Sequence, residues 1–147
     1  MRRLVVILLF LLGVVTAAQA QPGTQSVLTA VSGQGIGRVN VSPTANDSEG
    51  TFEVQVAVNL HKALPDTTFT IARAVDLNPN GVCTSTTWNS VPEKTLTTSK
   101  GGAGAAHFEI VRGAPFTDGV RFDVHWRVMS LDGSQILLSD CFTVTIK

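Results

Sequence analysis

Apolar and polar residues alternate with a period of two through most of this sequence. In the clearest run, which starts at Phe52 and ends at Leu60, valines occupy positions 54, 56 and 58, while Glu53, Gln55 and Asn59 lie between them. Such alternation places one set of side chains on the buried face of a strand and the other set in water. Further runs predict strands at residues 27–31, 38–42, 69–75, 95–98, 108–110, 122–128, 136–139 and 142–146. The sequence therefore predicts seven to nine strands and no convincing helix.

Short segments rich in glycine, aspartate and proline separate these strands. They include Leu64-Pro65-Asp66, the glycine-rich segment at residues 101–104 and the Asp-Gly pair at 132–133. Many short strands with regular turns and one buried face each are typical of two antiparallel sheets packed together. We therefore expect an all-β fold, an antiparallel two-sheet sandwich of immunoglobulin-like type.

The first 20 residues have the three parts of a secretory signal peptide. Arg2 and Arg3 supply positive charge, residues 4–15 are almost entirely apolar, and Ala18 and Ala20 form an A-x-A cleavage site. The apolar run is shorter than the ~20 residues that a membrane-spanning helix needs. We therefore expect cleavage after Ala20, a secreted or extracytoplasmic location at the cell surface or in the periplasm, and no membrane span afterwards.

The remaining chain has the length of one domain. We expect a signal peptide at 1–20, a flexible segment at 21–26 and a single β-sandwich domain at 27–147. Eleven basic residues balance eleven acidic ones over the whole chain, and neither sign forms a block. Charge of this kind gives no reason to expect a nucleic-acid partner.

Two cysteines, Cys83 and Cys141, are the only ones in the chain. An even pair in an exported protein predicts a disulfide bond. In the last strand Phe142 and Val144 are expected to point inward, so that Cys141 and Thr143 point outward because neighbours alternate. We therefore expect the disulfide on the outer surface and not through the core.

The two strands around residues 108–110 and 122–128 are predicted to pair with each other. Hydrophobic matching favours the register that sets Phe108 opposite Trp126 and Ile110 opposite Val124. The same register would bring the polar faces of the two strands side by side.

That polar face gives the first metal-site candidate in the sequence. His107, Glu109 and His125, with Asp123 nearby, offer imidazole and carboxylate ligands to a transition metal. The simpler interpretation is a set of ordinary cross-strand pairs on a solvated sheet face. We expect no metal and no cofactor, and keep a metal-binding protein or metal-dependent enzyme as the alternative.

A segment beginning at Asp76 resembles the opening of a calcium-binding loop. Asp76, Asn78, Asn80 and Gly81 match its D-x-[DN]-x-[DN]-G pattern, but Thr87 stands where a bidentate glutamate is needed. A turn rich in Asn, Pro and Gly explains the same residues.

The whole connection over residues 76–93 lacks strand character. A loop this long in a compact domain is usually functional or disordered, and the cysteine at 83 argues against disorder. Trp88 is expected to cover the edge of the core, with a binding aromatic as the alternative. Asp76, Asn78, Asn80 and Trp88 therefore form the candidate binding loop.

The segment Leu64-Pro65-Asp66-Thr67-Thr68-Phe69-Thr70-Ile71 resembles the P-x-T-x-Y-x-V stretch of fibronectin type III domains, with phenylalanine in place of the tyrosine. The longer pattern from this turn to the closing Asp-Cys-Phe-Thr-Val-Thr is similar to small exported bacterial β-sandwich proteins of unassigned activity. The resemblance implies a sandwich architecture and no particular chemistry.

Motifs of common enzyme classes are missing from the sequence, which has no G-x-S-x-G, H-E-x-x-H, C-x-x-C or phosphate loop. We therefore expect a non-enzymatic secreted or cell-surface module with a binding or structural role and a protein or cell-envelope partner. A third hypothesis is assembly by strand addition through residues 142–146.

Overall fold

The computed structural model describes residues 24–43, 52–117 and 119–146, which are all β-strand and connecting segments. The predicted signal peptide at 1–20 lies outside the described residues. Strand structure begins at Thr24, so residues 24–26, which were expected to be flexible, belong to the sheet. No helix of the length and apolarity needed to cross a bilayer occurs in these ranges.

Nine strands form within the described residues, in agreement with the all-β prediction. They are β1 (Thr24–Ser32), β2 (Ile36–Pro43), β3 (Phe52–His61), β4 (Thr68–Asp76), β5 (Asn89–Thr97), β6 (Gly104–Arg112), β7 (Arg121–Ser130), β8 (Ile136–Ser139) and β9 (Phe142–Thr145).

The strands form one continuous antiparallel sheet and not the two separate sheets that were expected. Its order is β5-β4-β7-β8-β1-β2-β3-β6, and β9 pairs with β7 beside β8. The sheet curls into a half-barrel, so that its two edge strands, β5 and β6, approach each other, and their described residues form no ladder. The inner face of the curl encloses the core.

The alternation in β3 shows why the sheet curls around one core. Phe52, Val54, Val56, Val58 and Leu60 are all at most 5% exposed. The residues between them are more exposed and lie on the outer face. Burial of one face of every long strand is what the period-two pattern predicts.

The predicted pairing of β6 with β7 is wrong. β6 pairs with β3, which sets Phe108 opposite Val56, while β7 pairs with β4, β8 and β9. Phe108 and Trp126 do meet, with ring centroids 6.2 Å apart, but they do so as members of two non-adjacent strands. Hydrophobic matching correctly indicated that Phe108 and Trp126 both face inward. Their contact is made through the core, however, and not between paired strands.

The predicted loop over residues 76–93 is shorter in the structure, because β5 begins at Asn89. The ladder between β4 and β5 is interrupted: Thr70 pairs with Thr95, whereas Ala72 pairs with Ser90. The irregular stretch contains Pro92, which has no N–H to donate to a ladder. Only residues 77–88 therefore form a loop, and we call this segment the pinned loop.

Candidate functional site

Asp123 holds the first part of the pinned loop against the outer face of the sheet. Its carboxylate, which is fully buried, accepts hydrogen bonds from the backbone N–H groups of Asn80 and Gly81 at 2.8 and 2.7 Å. It also accepts one from the Thr143 hydroxyl at 2.5 Å. These donors, the Thr143 hydroxyl foremost, keep the pKa of Asp123 below its ordinary value although burial opposes the charge. The carboxylate therefore remains ionised and satisfied beneath the loop.

Asp76 holds the second part of the same loop. It is the register partner of Asp123 across β4 and β7. It accepts hydrogen bonds from the backbone N–H groups of Thr84 and Ser85 at 2.8 and 3.0 Å and from the Thr84 hydroxyl at 3.2 Å. The backbone donor of Ser85 is the main cause that lowers the pKa of Asp76. Two neighbouring carboxylates thus bind opposite halves of the loop.

Two residues of the calcium-like pattern, Asp76 and Asn80, accept hydrogen bonds within the loop in this structure. Both carboxylate oxygens of Asp76 accept loop donors, and the side-chain oxygen of Asn80 accepts the Val82 N–H at 2.8 Å. Asn78 lies in the same segment and is exposed. The arrangement agrees with a loop built from Asn, Pro and Gly turn chemistry.

The disulfide bond between Cys83 and Cys141 ties the middle of the loop to the segment before β9. The two Cα atoms are 5.5 Å apart and the residues are 58 positions apart in sequence. Both cysteines are partly exposed, and neither belongs to the hydrophobic core. The predicted location of the bridge outside the core is therefore confirmed.

Trp88, at the end of the loop, lies on the outer face and not at the edge of the core. Its ring stacks on His125 with centroids 4.6 Å apart, and the Arg127 guanidinium carbon lies 4.5 Å from its centroid. His125 also hydrogen-bonds the Ser85 carbonyl through Nε2 at 3.2 Å. The expected covering role is thus replaced by a contact with two outward side chains of β7.

Two large apolar side chains of the pinned loop face solvent. Leu77 is 59% exposed and Val82 is 57% exposed. They belong to a segment whose backbone is fixed by two carboxylates and a disulfide bond. The loop therefore presents apolar side chains from a rigid support.

His107 and Glu109 do not lie with His125 on adjacent strands, because β6 pairs with β3. Glu109 faces Gln55 in that ladder and accepts a hydrogen bond from its side-chain amide at 2.6 Å. Across the described ranges, no three His, Cys, Asp or Glu side chains are grouped so that they could hold a metal ion. The pairing on which the metal-site alternative rested is therefore wrong.

A second candidate region lies on the inner face of the sheet, and the sequence analysis missed it. A cavity of about 230 Å³ opens between the inner faces of β3, β4, β6 and β7. The wall that the described residues form is apolar apart from Arg73, Asn89, Arg112 and the indole of Trp126. The apolar lining residues are Val41, Phe52, Val54, Val75, Ile110, Phe116, Phe122, Val124 and Val144.

Arg73 is an inward-facing charge on β4. It continues the alternation of Phe69 and Ile71, and it is the register partner of Trp126 on β7 and of Asn89 on β5. Burial, with a further contribution from the positive charge of Arg112, lowers the pKa of Arg73 to about 10. Its Nη1 atom is buried without a hydrogen-bond partner. The signal in the sequence was a charged residue at an inward position, which reads as an interruption of the apolar pattern.

No protein-family model matches the chain, and no curated protein matches it by sequence. Among solved structures, the chain is similar to one described as the X-ray structure of Northeast Structural Genomics Consortium target SoR45. The similarity has a TM-score of 0.46 at 13% identity and covers 75% of this chain and 84% of the other.

Proposed function

We propose that this chain is an exported, non-enzymatic binding module that contacts a protein partner through the pinned loop. The observation that carries the proposal is the combination of a fixed backbone at residues 77–88 with two exposed apolar side chains, Leu77 and Val82. The immunoglobulin-like character of the module stays a prediction.

A rigid loop supports this role through the entropy of binding. A flexible loop loses conformational freedom when a partner orders it, whereas a preorganised loop has lost that freedom on folding. Here Asp76 and Asp123 bind four backbone N–H groups of the loop, and Cys83 is covalently held. Apolar side chains on such a support can bury surface at little further cost.

The disulfide bond is compatible with an extracytoplasmic location, where thiols are oxidised. Together with the signal-like sequence at 1–20, it supports contact with partners outside the cytoplasm. We therefore place the proposed partner at the cell envelope or beyond it.

Photo-crosslinking in the native host tests the proposal. A benzophenone amino acid at Val82 is expected to give one dominant covalent adduct, and Leu77→Ser is expected to reduce it strongly. Leu131 is the matched control, because it is 70% exposed in a turn away from the loop. The same probe at Leu131 is expected to give no such adduct.

Two results would contradict the proposal. One is the absence of an adduct at Val82 in a protein that is exported and correctly disulfide-bonded. The other is an adduct of equal yield from Val82 and Leu131, which would indicate non-specific apolar contact.

A further inference from the structure

Among the described residues that line it, the inner cavity has several hydrogen-bond donors and no acidic side chain. Two guanidinium groups, from Arg73 and Arg112, an indole N–H from Trp126 and the amide of Asn89 are the polar groups in its wall. Only the amide carries a side-chain acceptor. We propose that this cavity binds a small amphiphilic carboxylate, with the carboxylate at Arg73 and the apolar body among the surrounding valines and phenylalanines.

The position of Arg73 supports an anionic ligand. A charged side chain on the inner face of a sheet is unfavourable unless it is paired, because burial removes it from water. The Nη1 atom of Arg73 has no hydrogen-bond partner, and the positive charge of Arg112, together with burial, disfavours the charged form of this side chain. A carboxylate would pair with the planar guanidinium through two parallel hydrogen bonds.

Trp126 supplies a second, independent observation. It is 2% exposed, and its Nε1 atom has no hydrogen-bond partner. Buried indole N–H groups usually have one. Because Trp126 and Arg73 are register partners on β7 and β4, two unpartnered donors stand side by side in the wall of one cavity.

The size of the cavity limits the ligand. A cavity of ~150 Å³ with apolar walls is known to hold benzene, so about 230 Å³ corresponds to roughly nine carbon-sized atoms. Since the carboxylate accounts for three of these atoms, the ligand class is a monocarboxylate with an apolar body of roughly six or seven carbons, either a straight chain or a phenyl-bearing acid.

This site is separate from the pinned loop. The loop lies on the outer face of β4 and β7, whereas the cavity lies on their inner face. A failure to detect partner contact at Leu77 and Val82 would therefore not contradict the cavity proposal. A failure to detect ligand binding in the cavity would likewise not contradict the proposed role of the loop.

Binding of octanoate to the purified mature protein tests the inference. The chain has two tryptophans, so Trp88→Phe leaves Trp126 as the only indole, and its fluorescence reports on the cavity. Octanoate is expected to bind saturably with a stoichiometry of about one per chain, as checked by calorimetry. Neutral octanol is expected to bind at least tenfold more weakly, because the charged hydrogen bonds to Arg73 that it lacks are worth about that factor. Octyltrimethylammonium is expected not to bind, because its positive charge is repelled by Arg73.

Two variants and one matched control assign the interaction. Arg73→Met keeps most of the side-chain volume and removes the charge, and it is expected to weaken octanoate binding at least tenfold. Arg38→Met removes an exposed arginine from β2 and is expected to leave binding unchanged. Val54→Phe fills part of the cavity while keeping Arg73, and it is expected to abolish binding of both octanoate and octanol.

Several outcomes would overturn the inference. They are no saturable binding of octanoate to the folded wild type, equal binding of octanoate and octanol, or full octanoate binding by Arg73→Met. If Arg73→Met fails to fold, undiminished octanoate binding by a folded Val54→Phe protein would have the same meaning.

Discussion

At β4 and β7 the two carboxylates on the outer face of the sheet are hydrogen-bonded, whereas two donors that line the cavity on its inner face are not. On the outer face, Asp76 and Asp123 are surrounded by donors from the loop and from Thr143. On the inner face, Arg73 and Trp126 each carry a buried donor without a partner, and both line one cavity, whereas Arg127 on the outer face, whose Nε is also unpartnered, packs against the ring of Trp88. Satisfied polar groups fix a local structure, whereas unsatisfied ones destabilise the unliganded protein and are typical of binding sites. The comparison assigns a mainly structural role to the carboxylates and a binding role to the arginine.

The largest expected effect comes from removing the disulfide bond on the outer face. Cys83→Ser with Cys141→Ser releases a constraint on a long loop, and the chain-entropy estimate gives a loss of about 4 kcal/mol in the free energy of unfolding. Urea unfolding of the oxidised wild type and the double variant measures it. A loss below about 1 kcal/mol would show that the carboxylates alone hold the loop.

The next effect concerns Asp123. Asp123→Asn replaces an acceptor that binds three donors with an amide whose N–H₂ group opposes them, and we expect a loss of about 2 kcal/mol in unfolding free energy. Asp140→Asn is the control, because Asp140 is exposed beside Cys141. Equal stability of the two variants would contradict the structural role of Asp123.

The pH dependence of the same variant sharpens the comparison. The pKa of Asp123 is lowered in the folded protein, so its contribution is present above the unfolded-state value near 3.8 and is lost as the pH falls through the lower folded pKa. The stability difference between wild type and Asp123→Asn is therefore expected to be full at pH 7 and reduced at pH 3. Urea unfolding at the two pH values measures this, and a difference that grows on acidification would contradict the assignment.

On the inner face we expect a substitution to raise the free energy of unfolding, whereas the substitutions on the outer face lower it. Arg73→Met removes a half-buried charge with an unpartnered nitrogen from an apolar wall, and we expect a gain of about 1 kcal/mol in the unliganded protein. The melting temperature of this variant, compared with that of Arg38→Met, measures the effect. A destabilised Arg73→Met protein would mean that Arg73, like the carboxylates, serves structure.

The smallest effect is expected at Trp88. Trp88→Leu removes the stack on His125 and the contact with Arg127, which are worth about 0.5 to 1 kcal/mol on a partly exposed surface. Thermal unfolding of the variant checks this value. A loss as large as that of Asp123→Asn would show that the ring is a principal anchor of the loop.

The sequence was informative where structure follows from local alternation. The inward face of β3 and the outward direction of Cys141 both depend on the pleat of a single strand, and both agree with the structure. The candidate loop was also placed in the right region, although β5 begins inside its predicted range because the alternation there is broken at Pro92.

The misses concern relations between strands. Alternation states which residues face the core but not which strand is the neighbour, so Phe108 and Trp126 were assigned to adjacent strands although they meet through the core. Arg73 was missed for a related reason. A charge at an inward position looks like a defect in a strand until the opposing wall of the cavity is known.

The unpaired approach of β5 to β6 has a consequence for access to the interior. Asn89 on one of these edge strands and Arg112 on the other both border the cavity. No backbone ladder joins the two strands in the described part of the chain, so separating them near Asn89 and Arg112 breaks no strand pairing. Opening the seam between the two edges would therefore widen access to the cavity while every ladder of the sheet stays intact.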